Sequence, residues 1–136
     1  MVPEHLLADR ISGGVLGEAR AERLYLVRGL AVMLLDADPQ GSASSWADRA
    51  EHRGTPLPFP VVPVAAADLA SVAAGGAAAG LVVVDTPPGT AGVIDAAIDA
   101  ADLVIIPSGA APADIDRVWP TLDLTTHRAA AMALSR

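Results

Sequence analysis

The stretch that decides the fold is residues 31–42, AVMLLDADPQGS. It begins with five apolar residues, which is typical of a buried β-strand, and it turns polar at Asp36. Asp38 follows two positions later, and alternate residues of an extended chain point the same way. The two carboxylates are therefore predicted to face one cavity, where they could hold a hydrated metal ion or orient a water molecule. The alternative is a polar turn in which Ser42 caps the following helix.

A second stretch, residues 81–89 (LVVVDTPPG), repeats the pattern of an apolar strand that ends in a carboxylate. A hydrophobic strand that ends in Asp85 has the form of a Walker B motif, whose carboxylate accepts hydrogen bonds from magnesium-bound water. The alternative is a strand-end turn that the sequence Pro-Pro-Gly stops. A third apolar run, residues 103–106, ends at Pro107 and predicts another buried strand.

Helical segments are predicted between and around these strands. They cover residues 19–29, 42–52, 66–74, 91–101 and the region after Pro112, with a kink or break at Pro120. Residues 61–64 are predicted as a short edge strand because they contain Pro63. The glycines at 75 and 76 are expected to end a helix, and the alanine tracts 65–79 and 129–133 are expected to be helical.

The order of these elements predicts an α/β fold with a doubly wound, mostly parallel sheet and flanking helices. Near-continuous apolar strands belong to parallel sheets that are buried on both faces. Ligands of such sheets bind beyond the carboxyl ends of the strands. Asp36 and Asp85 are each predicted at such a strand end, so the sequence predicts that they share one rim.

Composition narrows the class of protein. The chain has 136 residues, which fits one domain, and it is 52% hydrophobic but only 3% aromatic. Its core must therefore consist of Ala, Val, Leu and Ile. A net charge of −7 argues against direct DNA binding by this segment alone. The chain has no Cys, which excludes disulfides and thiolate metal sites. No signal peptide or membrane-spanning run is visible, so a cytoplasmic location without membrane attachment is expected.

Taken together, these stretches resemble the ParA/MinD group of P-loop ATPases, in particular the small ParF-like proteins of plasmid and chromosome partition. The order and spacing of four segments match the family, namely residues 36–46, 84–88, 101–107 and 111–115. The resemblance covers about residues 29–125. It implies a single P-loop NTPase-like domain over residues 1–136, incomplete in its sheet, with an atypical segment at residues 1–28.

The resemblance also implies an activity and residue roles. The family binds ATP and Mg²⁺, hydrolyses ATP, forms dimers, and is stimulated by a centromere-binding ParB-like partner. By position, Asp38 matches the switch I aspartate that activates the attacking water. Asp36 and Asp85 match the strand-end and Walker B aspartates near the magnesium. Pro107 and Ser108 fall where a family loop approaches the adenine.

The phosphate-binding loop departs from the family pattern. The family carries a deviant Walker A loop, Lys-Gly-Gly-x-Gly-Lys-Thr, whose lysine reaches the β/γ oxygens. The nearest counterpart is residues 12–19, SGGVLGEA, which keeps Gly13, Gly14 and Gly17 as candidate cofactor-binding residues. Glu18 stands where the phosphate-binding lysine would be, and the whole chain contains no lysine. A flexible loop is the alternative for this segment.

Three hypotheses about function therefore remain open at the level of sequence. The first is a partition ATPase, or part of one, that segregates plasmids or chromosomes with ATP and Mg²⁺. The second is a catalytically inactive module of the same fold that binds or dimerises. The third is a truncated, non-functional gene remnant. Because the P-loop lysines and threonine are absent, the sequence leaves ATP hydrolysis undecided.

Overall fold

The computed structural model describes residues 31–77 and 80–135. These residues form two compact units, residues 31–102 and residues 103–135, and each is described by itself. The predicted helix at 19–29 and the glycines at 13, 14 and 17 lie outside the described residues. No helix within the two described ranges has the length and hydrophobicity needed to cross a membrane.

Strands and helices alternate along the chain. The first unit contains β1 (Val32–Asp36), α1 (Ser42–His52), β2 (Val61–Pro63), a 3-10 helix (Ala66–Asp68), α2 (Leu69–Ala77), β3 (Leu81–Asp85) and α3 (Ala91–Ala100). The second unit contains β4 (Leu103–Gly109), α4 (Pro112–Asp116), α5 (Trp119–Leu124) and β5 (Ala129–Ser135).

The first unit is built on a three-stranded parallel sheet with the order β2-β1-β3. The central strand β1 is the most buried, and Leu35 within it is fully enclosed. β2 lies at one side of β1, as Pro63 predicts, and β3 pairs with the other side over five residues. The predicted parallel strands and α/β class are confirmed, and helices on both faces of one sheet stay a prediction.

Helices pack against this sheet and against one another through apolar side chains. α2 contacts β3 and α3, and α1 contacts β1 and β2. Leu69 of α2 is fully buried and Ile98 of α3 nearly so. Trp46 of α1 packs against the buried ring of Phe59, with ring centroids 6.1 Å apart and planes inclined by 51°. This tilted contact anchors α1 beside the loop that leads into β2.

The prediction that two glycines end the helix after residue 74 was wrong, since α2 continues through them to Ala77. A Cβ atom at Gly76 would lie 2.9 Å from Cγ2 of Val82 and 3.0 Å from Sδ of Met33. Gly76 therefore lets the helix approach the sheet closely, and this packing outweighs its poor helix propensity. A Cβ at Gly75 would meet nothing within 4 Å.

The second unit contains the parallel pair β4 and β5, joined by α4 and α5. The expectation that residues 129–133 are helical was wrong, because they pair with β4 from the register Leu103–Ala129 onward. Ladder pairing overrides the helix propensity of alanine here. β4 also continues past Pro107 to Gly109, since the fixed φ of proline is compatible with extended backbone. The predicted break at Pro120 is confirmed: α5 begins at Trp119.

The packing of α2 makes a prediction with a matched control. Gly76→Leu should lower the free energy of unfolding by about 1–3 kcal/mol, because the new side chain enters a filled interface. Gly75→Ala should raise it by about 0.5–1 kcal/mol, because alanine favours the helix and meets open space. Urea unfolding followed by circular dichroism measures both, and equal effects of the two variants would contradict the packing described here.

Candidate functional site

The carboxyl ends of β1 and β3 meet at one edge of the sheet. Asp36 and Asp85 are register partners in the parallel ladder, so they lie side by side on adjacent strands. The backbone N–H of Ala37 donates to the carbonyl of Asp85 at 2.9 Å, and that of Val64 donates to the carbonyl of Asp36 at 2.9 Å. These bonds extend the pairing beyond the strand ends. The shared edge that the sequence predicts for the two aspartates is confirmed.

The Asp36 carboxylate is buried, with 3% of its surface exposed, and it accepts three hydrogen bonds. Its Oδ2 atom accepts from the backbone N–H of Ser44 at 2.8 Å and from the Ser44 hydroxyl at 2.6 Å. Its Oδ1 atom accepts from the backbone N–H of Asp38 at 3.2 Å. A buried carboxylate needs such donors, because an unpaired charge is costly away from water.

These contacts also explain how α1 begins. Its N-cap position is Gly41, in the left-handed region with φ of 63°, and it makes no side-chain capping bond. Asp36 instead supplies a carboxylate to the free N–H of Ser44 in the first helical turn. A negative charge at a helix N-terminus is favourable. The interpretation of Ser42 as the N-cap was therefore wrong, because Ser42 is the first residue of the helix itself.

Asp38 is held in the turn between β1 and α1. Its carbonyl accepts from the N–H of Gly41 at 2.8 Å, which closes a four-residue turn. Its Oδ1 atom accepts from the N–H of Gln40 at 2.8 Å. Pro39 occupies the second position of this turn, where its fixed φ is favourable. The turn places Asp38, partly exposed, directly beyond the end of β1.

Asp36, Asp38 and Asp85 together are called the acidic rim. The pKa of Asp85 is raised above its ordinary value of 3.8, first by burial and then by the negative charges of Asp36 and Asp38. Asp36 and Asp38 are therefore close enough to Asp85 to disfavour its charged form. Within residues 31–77 and 80–135, no three His, Cys, Asp or Glu side chains are grouped so that they could hold a metal ion. Any cation at the rim would keep much of its hydration shell, as Mg²⁺ usually does in proteins.

A groove of about 620 Å³ opens at this edge of the sheet. Asp36, Asp38 and Ser44 line it on the side of β1 and α1. Residues 63–66 and Val93 line the rest, and Asp85 is not among the described lining residues. The described lining contains acids and small apolar groups and no basic residue, so it offers oxygen ligands to a cation but no positive contact to a phosphate.

The remaining predicted site residues belong to the second unit or fall outside the described ranges. Pro107 and Ser108 belong to the second unit; Pro107 is exposed, and the buried Ser108 donates its hydroxyl to the carbonyl of Gly109 at 3.0 Å. The three glycines of residues 12–19 lie outside the described residues. Their predicted roles in cofactor binding stay predictions.

Sequence reasoning missed Ser44 as a member of the site. The contact spans eight residues, from the end of a strand to the first turn of the next helix. A usable signal was present: the helix start at Gly41 has no side chain of its own for the free N–H groups. A serine two residues into the helix, together with an upstream carboxylate at the strand end, offers the substitute.

The fold and the rim define a class of protein: an α/β protein with parallel strands that carries carboxylates at adjacent strand ends. Such an arrangement is compatible with a Rossmann-like or P-loop-like fold. Among curated proteins, the chain is similar to "Maintenance of carboxysome distribution protein A" of Gloeobacter kilaueensis, with 42% identity over 100 residues. The match covers 72% of this chain and 43% of that relative. No protein-family model matches the chain.

The match covers only part of the relative. The chain spans less than half of the relative's length, so the likeness concerns a segment of that protein. At this level it supports the ParA-type relationship that the motifs predict.

The Asp36–Ser44 contact makes a prediction for stability. Ser44→Ala removes one charge-assisted hydrogen bond from a buried carboxylate, so it should lower the free energy of unfolding by about 1.5–3 kcal/mol. Ser45→Ala, at the adjacent exposed position, should change it by less than about 0.5 kcal/mol. Chemical unfolding curves of both variants provide the measurement, and indistinguishable curves would count against a structural role for the hydroxyl.

The raised pKa of Asp85 makes a prediction for pH dependence. A carboxyl group whose pKa is higher in the folded state is destabilising once ionised, so its contribution is full below pH 3.8 and is lost as pH rises through the folded pKa. Asp85→Asn cannot ionise. It should therefore stabilise the protein at neutral pH, and this advantage should shrink as pH falls through the folded-state pKa of Asp85 and be gone below pH 3.8.

Asp95→Asn is the control for net charge, because Asp95 is an exposed carboxylate on α3. Thermal unfolding midpoints of the wild type and both variants, measured across this pH range without divalent cations, test the prediction. If Asp85→Asn and Asp95→Asn respond identically to pH, burial and the neighbouring charges do not raise the pKa of Asp85.

Proposed function

We propose that this chain is part of a ParA-type ATPase whose acidic rim holds a hydrated Mg²⁺ ion beside the phosphates of a bound ATP. The observation that supports it most is the pairing of Asp36 with Asp85 at the ends of adjacent parallel strands, with Asp38 in the following turn. The similarity to a carboxysome distribution protein supports the same reading. We propose a task of the same class, the positioning of a large cargo, in the cytoplasm.

The donor chemistry of the rim fits Mg²⁺. Carboxylate oxygens and water are the ligands that this ion prefers, and the ion keeps several waters when it binds. Burial first, and then the negative charges of Asp36 and Asp38, raise the pKa of Asp85, and a cation at the rim would offset the repulsion. When bound, Mg²⁺ would neutralise negative charge on the phosphates.

Within this proposal each carboxylate has a separate part. Asp36 and Asp85 would accept hydrogen bonds from the water shell of the ion. Asp38, which is partly exposed beyond the strand end, would orient the water that attacks the terminal phosphate. The turn that closes at Gly41 and the bond from Gln40 hold Asp38 in position for this. The roles that the resemblance implies for glycines 13, 14 and 17 in phosphate binding, and for Pro107 and Ser108 in adenine binding, are part of the same proposal.

Calorimetry with ATP and Mg²⁺ tests the binding part of the proposal. Titration of ATP into the wild type should release heat only when Mg²⁺ is present. Asp85→Asn should abolish this Mg²⁺-dependent heat, because it removes a charged acceptor from the rim. Asp95→Asn, an exposed change on α3 with the same loss of charge, should bind as the wild type does. A titration without heat in the wild type would contradict the proposal.

Phosphate release tests the catalytic part. Asp38→Asn should keep the Mg²⁺-dependent binding of ATP but lower the hydrolysis rate about 100-fold, because the attacking water loses the carboxylate that orients it. A rate unchanged in Asp38→Asn would assign the water to another group.

The second candidate function is a binding or dimerisation module that does not turn over ATP. The observation that favours it is the chain's lack of lysine, together with Glu18 at the position of the phosphate-binding lysine. A negative charge there would oppose the triphosphate, and removal of one such transition-state contact commonly costs several kcal/mol. Sedimentation velocity separates the two: self-association without nucleotide, and no phosphate release, would favour the module.

A further inference from the structure

The chain reverses its direction where α1 ends. Gly54 has a φ of 73°, in the left-handed region that glycine adopts readily. Its N–H donates to the carbonyl of Glu51 at 2.9 Å, and the N–H of Thr55 donates to the carbonyl of Ala50 at 3.0 Å. These two bonds form a Schellman motif, which ends a helix and redirects the chain. Residues 55–57 therefore lie beside the last turns of α1.

A groove of about 320 Å³ lies between α1 and this returning segment, and it is called the basic groove. Trp46, Arg49 and Arg53 follow one another at intervals of three and four residues, which places them on one face of the helix. The helix contributes these side chains to the lining, and the returning segment contributes residues 55–57. The described lining contains no carboxylate side chain.

The basic groove gathers the positive charge of an acidic unit. Arg49 and Arg53 are the only arginines among residues 31–102, which contain no lysine, and the whole chain has a net charge of −7. Both arginines are exposed, and the part of the chain that the structure describes gives neither of them an ion-pair partner. Side chains four residues apart on a helix are neighbours. Each guanidinium group offers a planar fork of donors that matches a carboxylate.

Trp46 adds an apolar surface beside these charges. Basic side chains near the end of a helix also favour its dipole, and that role alone needs no groove. The ring of Trp46, however, is held against the buried ring of Phe59, with the centroids 6.1 Å apart. A side chain that is already fixed loses little conformational freedom when a ligand binds. Tryptophan and arginine are also the side chains that contribute most often to binding energy at protein interfaces.

We propose that the basic groove is a docking site for an acidic peptide segment of a partner protein. Arg49 and Arg53 bind a carboxylate of that segment, and Trp46 packs against one of its apolar side chains. Nucleic acid is the less favoured anion, because its binding depends on many phosphate contacts and the chain is negatively charged overall. The proposal is independent of the ATPase function, since the basic groove and the groove at the acidic rim share no lining residue.

Calorimetry on the full chain tests the proposal with short synthetic peptides that each carry several Glu residues and one Leu or Phe at varied spacing. At least one peptide should bind, and its counterpart with Gln in place of every Glu should not, because the arginines lose their charged partner. Replacement of its Leu or Phe by Ser should weaken the binding, because the contact with Trp46 is lost. Absence of binding by every acidic peptide would overturn the proposal.

Variants of the arginines locate the site. Arg49→Gln and Arg53→Gln should each weaken peptide binding about 3- to 10-fold, because each removes a charge-assisted contact at an exposed position. Arg117→Gln makes the same change at an exposed arginine of the second unit and should bind as the wild type does. Equal effects of the three variants would mean that only the net charge matters, and the basic groove would not be the site.

Two further measurements keep the result unambiguous. If circular dichroism shows that Arg49→Gln loses helix, Arg49→Lys takes its place, because lysine keeps the charge at the helix end but lacks the planar fork. This variant should fold and bind the peptide more weakly, and binding equal to that of the wild type would contradict the proposal. Sodium phosphate and an oligothymidine are titrated in parallel. Tighter binding of the oligonucleotide than of any peptide, weakened in both arginine variants, would assign the groove to nucleic acid instead.

Discussion

The first unit depends on one buried charge and the two donors that Ser44 gives it. Asp36 is almost completely buried, so hydrogen bonds within the protein must replace the hydration of its carboxylate. The compensation comes from the first turn of α1, where unpaired N–H groups and the positive end of the helix dipole favour an anion. One contact thus provides hydrogen bonds both to the carboxylate at the end of β1 and to a free N–H at the start of α1. It also fixes the turn between them, and with it the location of Asp38.

This arrangement places three negative charges where a neutral edge would be more stable. Asp85 has to ionise where it is partly buried and beside Asp36 and Asp38, and both conditions raise its pKa, burial more than the neighbouring charges. Hydrogen bonds satisfy Asp36, but they do not cancel its charge. Local conflicts of this kind are common where a protein binds a ligand of opposite charge. The groove beside the rim offers the space for such a ligand, within the described part of the first unit.

Much of the first unit could be predicted from the sequence because its strands are continuous apolar runs that end in aspartates. The pairing of Asp36 with Asp85 follows from parallel strands alone. What could not be predicted came from contacts between distant positions. Gly76 lies inside a helix because its lack of a side chain lets the helix pack closely against Met33 and Val82. The alanines of β5 are extended because β4 pairs with them. Ser44 was missed since its partner lies on another element.

The packing of Trp46 on Phe59 gives the protein a natural optical probe. The chain has two tryptophans, and their surroundings differ: Trp46 contacts a buried ring, while Trp119 of the second unit is 58% exposed. The emission of Trp119 will therefore lie further to the red and be quenched more readily by solutes. Since Trp46 lies two residues after Ser44 on the same helix, the shielded part of the emission spectrum reports on the start of α1, without any attached dye.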